Sequence, residues 1–204
     1  IDNQLNELNK VNESIDLYRM NLKKIIILEP NLSIIKSCLL PIYIVENFER
    51  KFPNTLSSCN IIGGKKIVEN QYFVRLIMQL DIYKKRLNFL KATDRFRFLE
   101  AVKFFGSVII SHQLENDLNY LYFDSLYLNL PLLHNSDRLK DYGYYYPNND
   151  INIAVEKMDN IIKHHSENIE EYKIKSREVI NQYHINNLIN QRKYFEVVKN
   201  LLSI

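Results

Sequence analysis

Ile25-Ile26-Ile27-Leu28-Glu29-Pro30-Asn31-Leu32-Ser33 is the stretch that decides the fold. Four apolar residues in a row, three of them β-branched, leave no polar side for solvent. Such a run suits a strand covered on both faces, as in a parallel sheet. Glu29-Pro30 ends the run, and Asn31 or Ser33 can cap the helix that follows. A buried strand, a polar turn and a helix start together make the opening of a βαβ unit.

Downstream, the same sequence of signals repeats. A helix is expected over 33–50, kinked near Pro41 and stopped by Lys51-Phe52-Pro53-Asn54. Cys59-Asn60-Ile61-Ile62 reads as a second strand, closed by Gly63-Gly64. A helix over 70–83, a third strand over 86–90 and a helix over 96–105 come next. Val108-Ile109-Ile110 is a fourth strand, followed by a helix over 114–128. Pro131-Leu132-Leu133 is a fifth strand and Tyr144-Tyr145-Tyr146 a short sixth. Helices over 152–165 and 168–201 close the chain, the second bent near Tyr183. Strands alternate with helices at roughly 25-residue spacing, the mark of βαβ units. The expected architecture is α/β: a single Rossmann-like, doubly wound parallel sheet of about six strands with extra N- and C-terminal helices. Before it, residues 1–22 carry Leu5, Leu8, Val11, Ile15, Tyr18 and Leu22 at steps of three and four. They read as an amphipathic linker or packing helix, which leaves 23–204 as the ligand-binding domain.

Composition sets the outer limits. A chain of 204 residues that is 46% hydrophobic and 25% charged is globular, not disordered or fibrous. Twenty-five Asn, 26 Ile and 18 Lys against 4 Gly give it the accent of an AT-rich genome, so Asn runs are weak loop signals. The net charge of +3 is small and scattered, which argues against a nucleic-acid partner. Cys38 and Cys59 have no metal-ligand spacing and read as buried small hydrophobes in a reducing, cytoplasmic compartment. The longest apolar runs, about five to ten residues, are too short to span a bilayer. The chain begins at Ile1 and not at Met, so a piece of a longer protein is the expectation.

In a doubly wound sheet, ligands bind beyond the carboxyl ends of the strands. Those ends are dense in polar residues here. Glu29, Asn31, Ser33 and Lys36 follow the first strand, and Gly63, Gly64, Lys65 and Lys66 the second. Ser111, His112, Gln113, Glu115, Asn116 and Asn119 follow the fourth; His134, Asn135, Ser136, Asp137 and Arg138 follow the fifth. Glu115, Asn116 and Asn119 are expected in the first turns of a helix, where free N–H groups and the dipole suit anions, or where the residues are simply caps. Asp124 sits in an apolar stretch, costly to bury unless it is bonded, and either binds a ligand hydroxyl or faces solvent. No GxGxxG, GxxxxGK[ST] or GxSxG occurs, so dinucleotide, P-loop and hydrolase-elbow chemistry lose their usual signals. His164-His165 are adjacent and do not share a helix face, a poor arrangement for a metal.

These residues also carry a resemblance. Ser111-His112-Gln113-Leu114-Glu115-Asn116, Leu118-Asn119-Tyr120, Asp124-Ser125-Leu126-Tyr127, Pro131-Leu132-Leu133-His134-Asn135-Ser136 and Gly143-Tyr144-Tyr145-Tyr146-Pro147 resemble the C-terminal, donor-binding domain of glycosyltransferases of the two-Rossmann-domain (GT-B) type. The match is nearest to a functionally uncharacterised glycosyltransferase-like group and covers most of 24–200. The resemblance implies an enzyme that transfers a sugar from a nucleotide-activated donor to a hydroxyl acceptor, without metal or other cofactor. It implies that Glu115 contacts the donor sugar and Asp124 the ribose, since a carboxylate accepts bonds from two neighbouring hydroxyls. Asn116, Asn119 and Tyr120 would shape the diphosphate and sugar pocket. Asn31, Ser33 and Lys36 would receive phosphate, and His112, His134 and Asn135 would complete the donor-binding set, the last two on the base or ribose side. The family's Gly-rich turn before the helix and its Arg/Lys diphosphate pair are not evident. One Rossmann unit is half of such an enzyme, so an N-terminal acceptor domain outside this chain is a further expected partner, and the half alone would be inactive. The alternatives are a non-catalytic sugar- or nucleotide-binding module that kept the fold, with Tyr142 to Tyr146 as a platform, or an interaction domain docking through its terminal amphipathic helices.

Overall fold

The computed structural model describes residues 20–30 and 35–202. Its centre is a six-stranded sheet in the order β3-β2-β1-β4-β5-β6. The strands are β1 (Lys24–Ile27), β2 (Ser58–Ile61), β3 (Leu90–Ala92), β4 (Val108–Ile110), β5 (Leu132–His134) and β6 (Tyr144–Tyr145), and every neighbouring pair is parallel. Ile25 pairs with Cys59 on one side and Val108 on the other. The chain builds outward from β1 to β3, then crosses back to lay β4 on the opposite flank of β1. The helices are α1 (Leu39–Lys51), α2 (Gln71–Ile77), α3 (Asp81–Lys84), α4 (Phe98–Phe105), α5 (Tyr120–Tyr127), α6 (Ile151–His164), α7 (Ile169–Tyr183) and α8 (Leu188–Leu202).

The all-apolar run of β1 explains the layers. Side chains alternate across a strand, so Ile25 and Ile27 face one side and Ile26 the other; all three are fully buried. The first face meets Ile42, Val45 and Phe48 of α1 and Ala154, Met158 and Ile161 of α6. The second meets Ala101 of α4, Tyr122 and Leu126 of α5 and Val179 of α7. Each buried isoleucine contributes about 1.5–3 kcal/mol, so an ionisable residue at Ile26 would break both the strand and the second layer. Gly106 lets β4 begin beside β1, because a Cβ there would lie 2.5 Å from the Lys24 carbonyl oxygen.

Several expectations are corrected by local chemistry. The helix expected from 33 begins at Leu39. Pro41 therefore lies in its first turn, where no N–H is required, and produces no kink. The helix expected over 70–83 is two, α2 and α3, separated at Met78–Leu80. The third strand is displaced to Leu90–Ala92, because the chain turns just before it: Phe89 N donates to Arg86 O at 3.3 Å, Asn88 takes φ 60, and the Arg86 side chain bonds Glu49 of α1. The last helix is broken, not bent: α7 ends at Tyr183, and α8 starts at Leu188 with large apolar residues such as Tyr194, Phe195 and Leu201 exposed. Most of the expected N-terminal helix over 1–22 lies outside the described residues, though Met20 packs on the second face. Among the described residues no helix is long and apolar enough to cross a membrane.

Candidate functional site

The reversal in strand order between β1 and β4 opens a crevice, as doubly wound sheets do. A cleft of about 380 Å³ sits there, beyond the carboxyl ends of the strands. Leu28 and Pro30 line it after β1, Ile62 and Gly63 after β2, Arg95, Phe96 and Phe98 after β3, and Asn119, Leu121 and Asp124 around α5. Lys36 closes one side. Gly63 turns the chain at φ 76, a left-handed geometry that favours glycine. The cleft thus has two cations, one carboxylate, one amide and apolar walls.

The expected site residues that lie among the described residues each have a definite place. Lys36, Asn119 and Asp124 line the cleft. Asn119 also caps α5, its Oδ1 accepting from Leu121 N at 3.2 Å. Burial raises the Asp124 carboxyl above the usual carboxylate range. Glu115 is exposed on the loop before α5, with φ 50. This corrects the expected helix start at 114: a residue in left-handed geometry cannot continue a right-handed turn. Glu115 and Asn116 are therefore loop residues and not part of a helix N-terminus. Asn116 donates to Gln113 Oε1. Tyr120 opens α5 and is 86% exposed. Asn135 clamps the backbone of Gln113, accepting from its N–H at 2.9 Å and donating to its carbonyl at 2.8 Å. Asn31 and Ser33 lie outside the described residues.

The two histidines are enclosed. His112 places Nδ1 3.0 Å from Tyr146 OH, and burial lowers its pKa. His134 is wholly buried: Nε2 donates to Tyr142 O at 2.8 Å while Nδ1 accepts from Ser136 N at 3.1 Å. Both ring nitrogens are occupied in the neutral form, and burial holds the pKa down to about 4. His134 ties β5 to the turn before β6 and does not line the cleft.

Two residues carry more of the site than their sequence context suggested. Arg95 joins Lys36 at the cleft. The third strand ends at Ala92, later than expected, and this brings Arg95 to the strand-end edge. Glu29 follows the end of β1 by two residues and is 0% exposed. Its Oε1 accepts from Ser111 Oγ and from Gln113 Nε2, the latter at 3.2 Å. Its Oε2 is enclosed without a hydrogen-bond partner among the described residues. Burial pushes the carboxyl up to about 7, against the opposing pull of those two bonds and of Lys36. Ser111 Oγ is 3.3 Å from Tyr122 OH, and Tyr146 OH is 3.4 Å from Ser111 O, so the network runs from β1 through β4 to α5 and the end of β6. The detectable signal was an acid placed directly after an apolar strand.

A family profile described as "Protein of unknown function (DUF2827)" matches residues 3–198. No match was found among curated proteins. Among solved structures, a glycosyltransferase from Rickettsia africae superposes with TM-score 0.66 at 16% identity, over 97% of this chain and 52% of that one. An α,α-trehalose-phosphate synthase (UDP-forming) from Burkholderia vietnamiensis gives TM-score 0.66 at 12% identity, over 90% of this chain and 46% of that one. The pneumococcal O-GlcNAc transferase GtfA, solved with UDP and GlcNAc, gives 0.59 at 14% identity, over 92% and 37%. The fold is thus the Rossmann-like fold of GT-B glycosyltransferases, and the chain spans about half or less of each of these proteins.

Proposed function

The chain belongs to the DUF2827 family of unknown function, and from that premise we propose that it is the donor-binding half of a glycosyltransferase. The carrying observation is that Lys36, Arg95 and Asp124 surround one cleft at the β1/β4 crevice. Two cations and a carboxylate beside apolar walls match a nucleotide sugar. Lys36 and Arg95 meet the diphosphate, Arg95 in the forked geometry that suits phosphate oxygens. Asp124 accepts from ribose hydroxyls, and Glu115, exposed on the loop before α5, accepts from the sugar. Phe96 and Phe98 offer ring faces to the base. Asn116 and Asn119 shape the pocket between them.

In transfer, a bond forms between the anomeric carbon and an acceptor hydroxyl oxygen. The bond to the diphosphate breaks, and the diphosphate leaves with the electron pair. Lys36 and Arg95 offset the growing charge on that leaving group, which needs no metal. The acceptor proton passes to a base in an acceptor domain contributed from beyond this chain. A thermal-shift screen with nucleoside diphosphates and nucleotide sugars tests the reading, because binding raises the melting temperature by mass action. The expected result is a rise for one base, diminished in Lys36→Met and Asp124→Asn. No rise with any nucleotide would sink it.

A further inference from the structure

Glu29 stands apart from the cleft by one residue on either side: Leu28 and Pro30 line it, whereas Glu29 is buried behind them. Lys36 belongs to both places. It lines the cleft, its charge acts on Glu29, and its backbone pairs with Gln113, whose amide donates to Glu29. One carboxylate oxygen remains without a partner among the described residues. An anionic Glu29 therefore depends on Lys36 for its nearest positive charge.

Resting on the reading of the cleft as a diphosphate site, we propose that Glu29 and Lys36 form a proton-linked anion switch, in which a diphosphate that engages Lys36 drives Glu29 to take up one proton from water. The ligand offsets the charge of Lys36 that favours the anionic carboxylate and sets a second negative charge near Glu29. Protonation removes the repulsion, and the buried acid becomes neutral, as its surroundings favour. A carboxyl near neutrality in the empty protein makes this change small enough to occur at physiological pH. The other groups facing Glu29 do not supply the charge. Ser111, Gln113 and Tyr122 are neutral, the buried Tyr146 phenol stays protonated, and burial holds Cys38 as a thiol and keeps His112 neutral. Glu29 acts through Lys36 and Gln113 and is a positioning residue.

The test uses nucleotide sugars carrying uridine, adenosine or guanosine, whose doubly esterified diphosphates keep a constant charge near neutral pH. Their dissociation constants are measured for the wild type and for Glu29→Gln, an isosteric and permanently neutral replacement. From about pH 6 to about pH 8 the wild type should weaken roughly fivefold relative to the variant, because binding that moves a pKa from about 7 to about 8 realises about half of its tenfold limit across that range. Calorimetry on the wild type alone, in two buffers of different ionisation enthalpy, should show proton uptake at about pH 7.5. This second measurement stands even if the variant fails to fold. Binding with no uptake, or with a wild-type-to-variant ratio constant in pH, overturns the switch and leaves the donor site intact. Absence of binding at every pH overturns the donor site, and the switch with it.

Discussion

Among the described residues three glutamates are buried, and they stand at opposite ends of the sheet. At the amino end, Glu46 and Glu49 project from α1 and have every oxygen engaged. Glu46 accepts from Arg50 Nε at 2.7 Å and from the N–H groups of Asp81 and Ile82 at 2.9 and 3.0 Å, which caps α3. Glu49 accepts from Arg86 Nη1 and Leu56 N, both at 2.7 Å, and from Asn54 N at 3.0 Å. At the carboxyl end, Glu29 shares one oxygen between two donors and leaves the other without a partner among the described residues. Burial alone therefore does not separate a fastening from a working group. The count of satisfied oxygens does, since a buried carboxylate is stable only when its lone pairs are met.

The contrast can be broken most directly at Glu49. Glu49→Ala strands Arg86 and frees the turn into β2, at a cost of about 4 kcal/mol in urea unfolding. A change below about 1 kcal/mol would remove the distinction. Glu29→Gln should behave in the opposite way. The folded carboxyl titrates near 7 and the unfolded one near 4.5, so the folded state holds the extra proton between those values. Stability from this group is complete below the unfolded value and is lost as pH rises through the folded one. By about pH 8 the wild type should have lost about 3 kcal/mol that the variant keeps, so the variant melts higher in base and not in acid.

His134 gives a third, smaller reading on the sealed side of the sheet. Its folded pKa is depressed to about 4, so its contribution is present above about 6.5 and fades as pH falls towards the folded value. Acid titration to about pH 5 should cost about 2 kcal/mol, and His134→Gln should flatten that slope. At the cleft, Asp124→Asn should weaken nucleotide binding roughly tenfold, about 1.4 kcal/mol, with little change in melting temperature. Tyr120→Ala, on an exposed ring, should move stability by less than about 0.5 kcal/mol. A larger loss of binding in that variant would bring Tyr120 into the pocket.

Most of the sheet was legible because β1, β4 and β5 carry short apolar runs that suit strands buried on both faces. Val108-Ile109-Ile110 needs no context, and β1, β2, β5 and β6 differ from their expected bounds by a residue or so. What failed was decided by side chains meeting across long separations. Arg86 looked like the start of a strand, but the chain turns there, and Glu49, 37 residues away, holds its side chain. The loop before α5 looked helical because Asn135, 22 residues on, was not visible as its clamp. The same error concealed the basic pair: with β3 misplaced, Arg95 fell inside a loop of no evident address. Lys36 stood out because polar residues after apolar strands mark the ligand edge, and Asp124 because it is a carboxylate inside an apolar stretch; both line the cleft. Glu29 was seen at that edge, but only burial and the partnerless oxygen give it a task.

Glycine is scarce here, and the backbone shows what stands in for it. Among the described residues five others adopt positive φ: Asn54, Asn88, Glu115, Asn129 and Asn148. Four are asparagine, which tolerates the left-handed region better than other side-chain-bearing residues. A chemical lifetime follows from this. Asparagine is among the residues least durable on prolonged heating, and here it holds the tight corners. Slow ageing of this protein should then begin as hydrolysis at its turns, long before the packed isoleucines of the sheet give way.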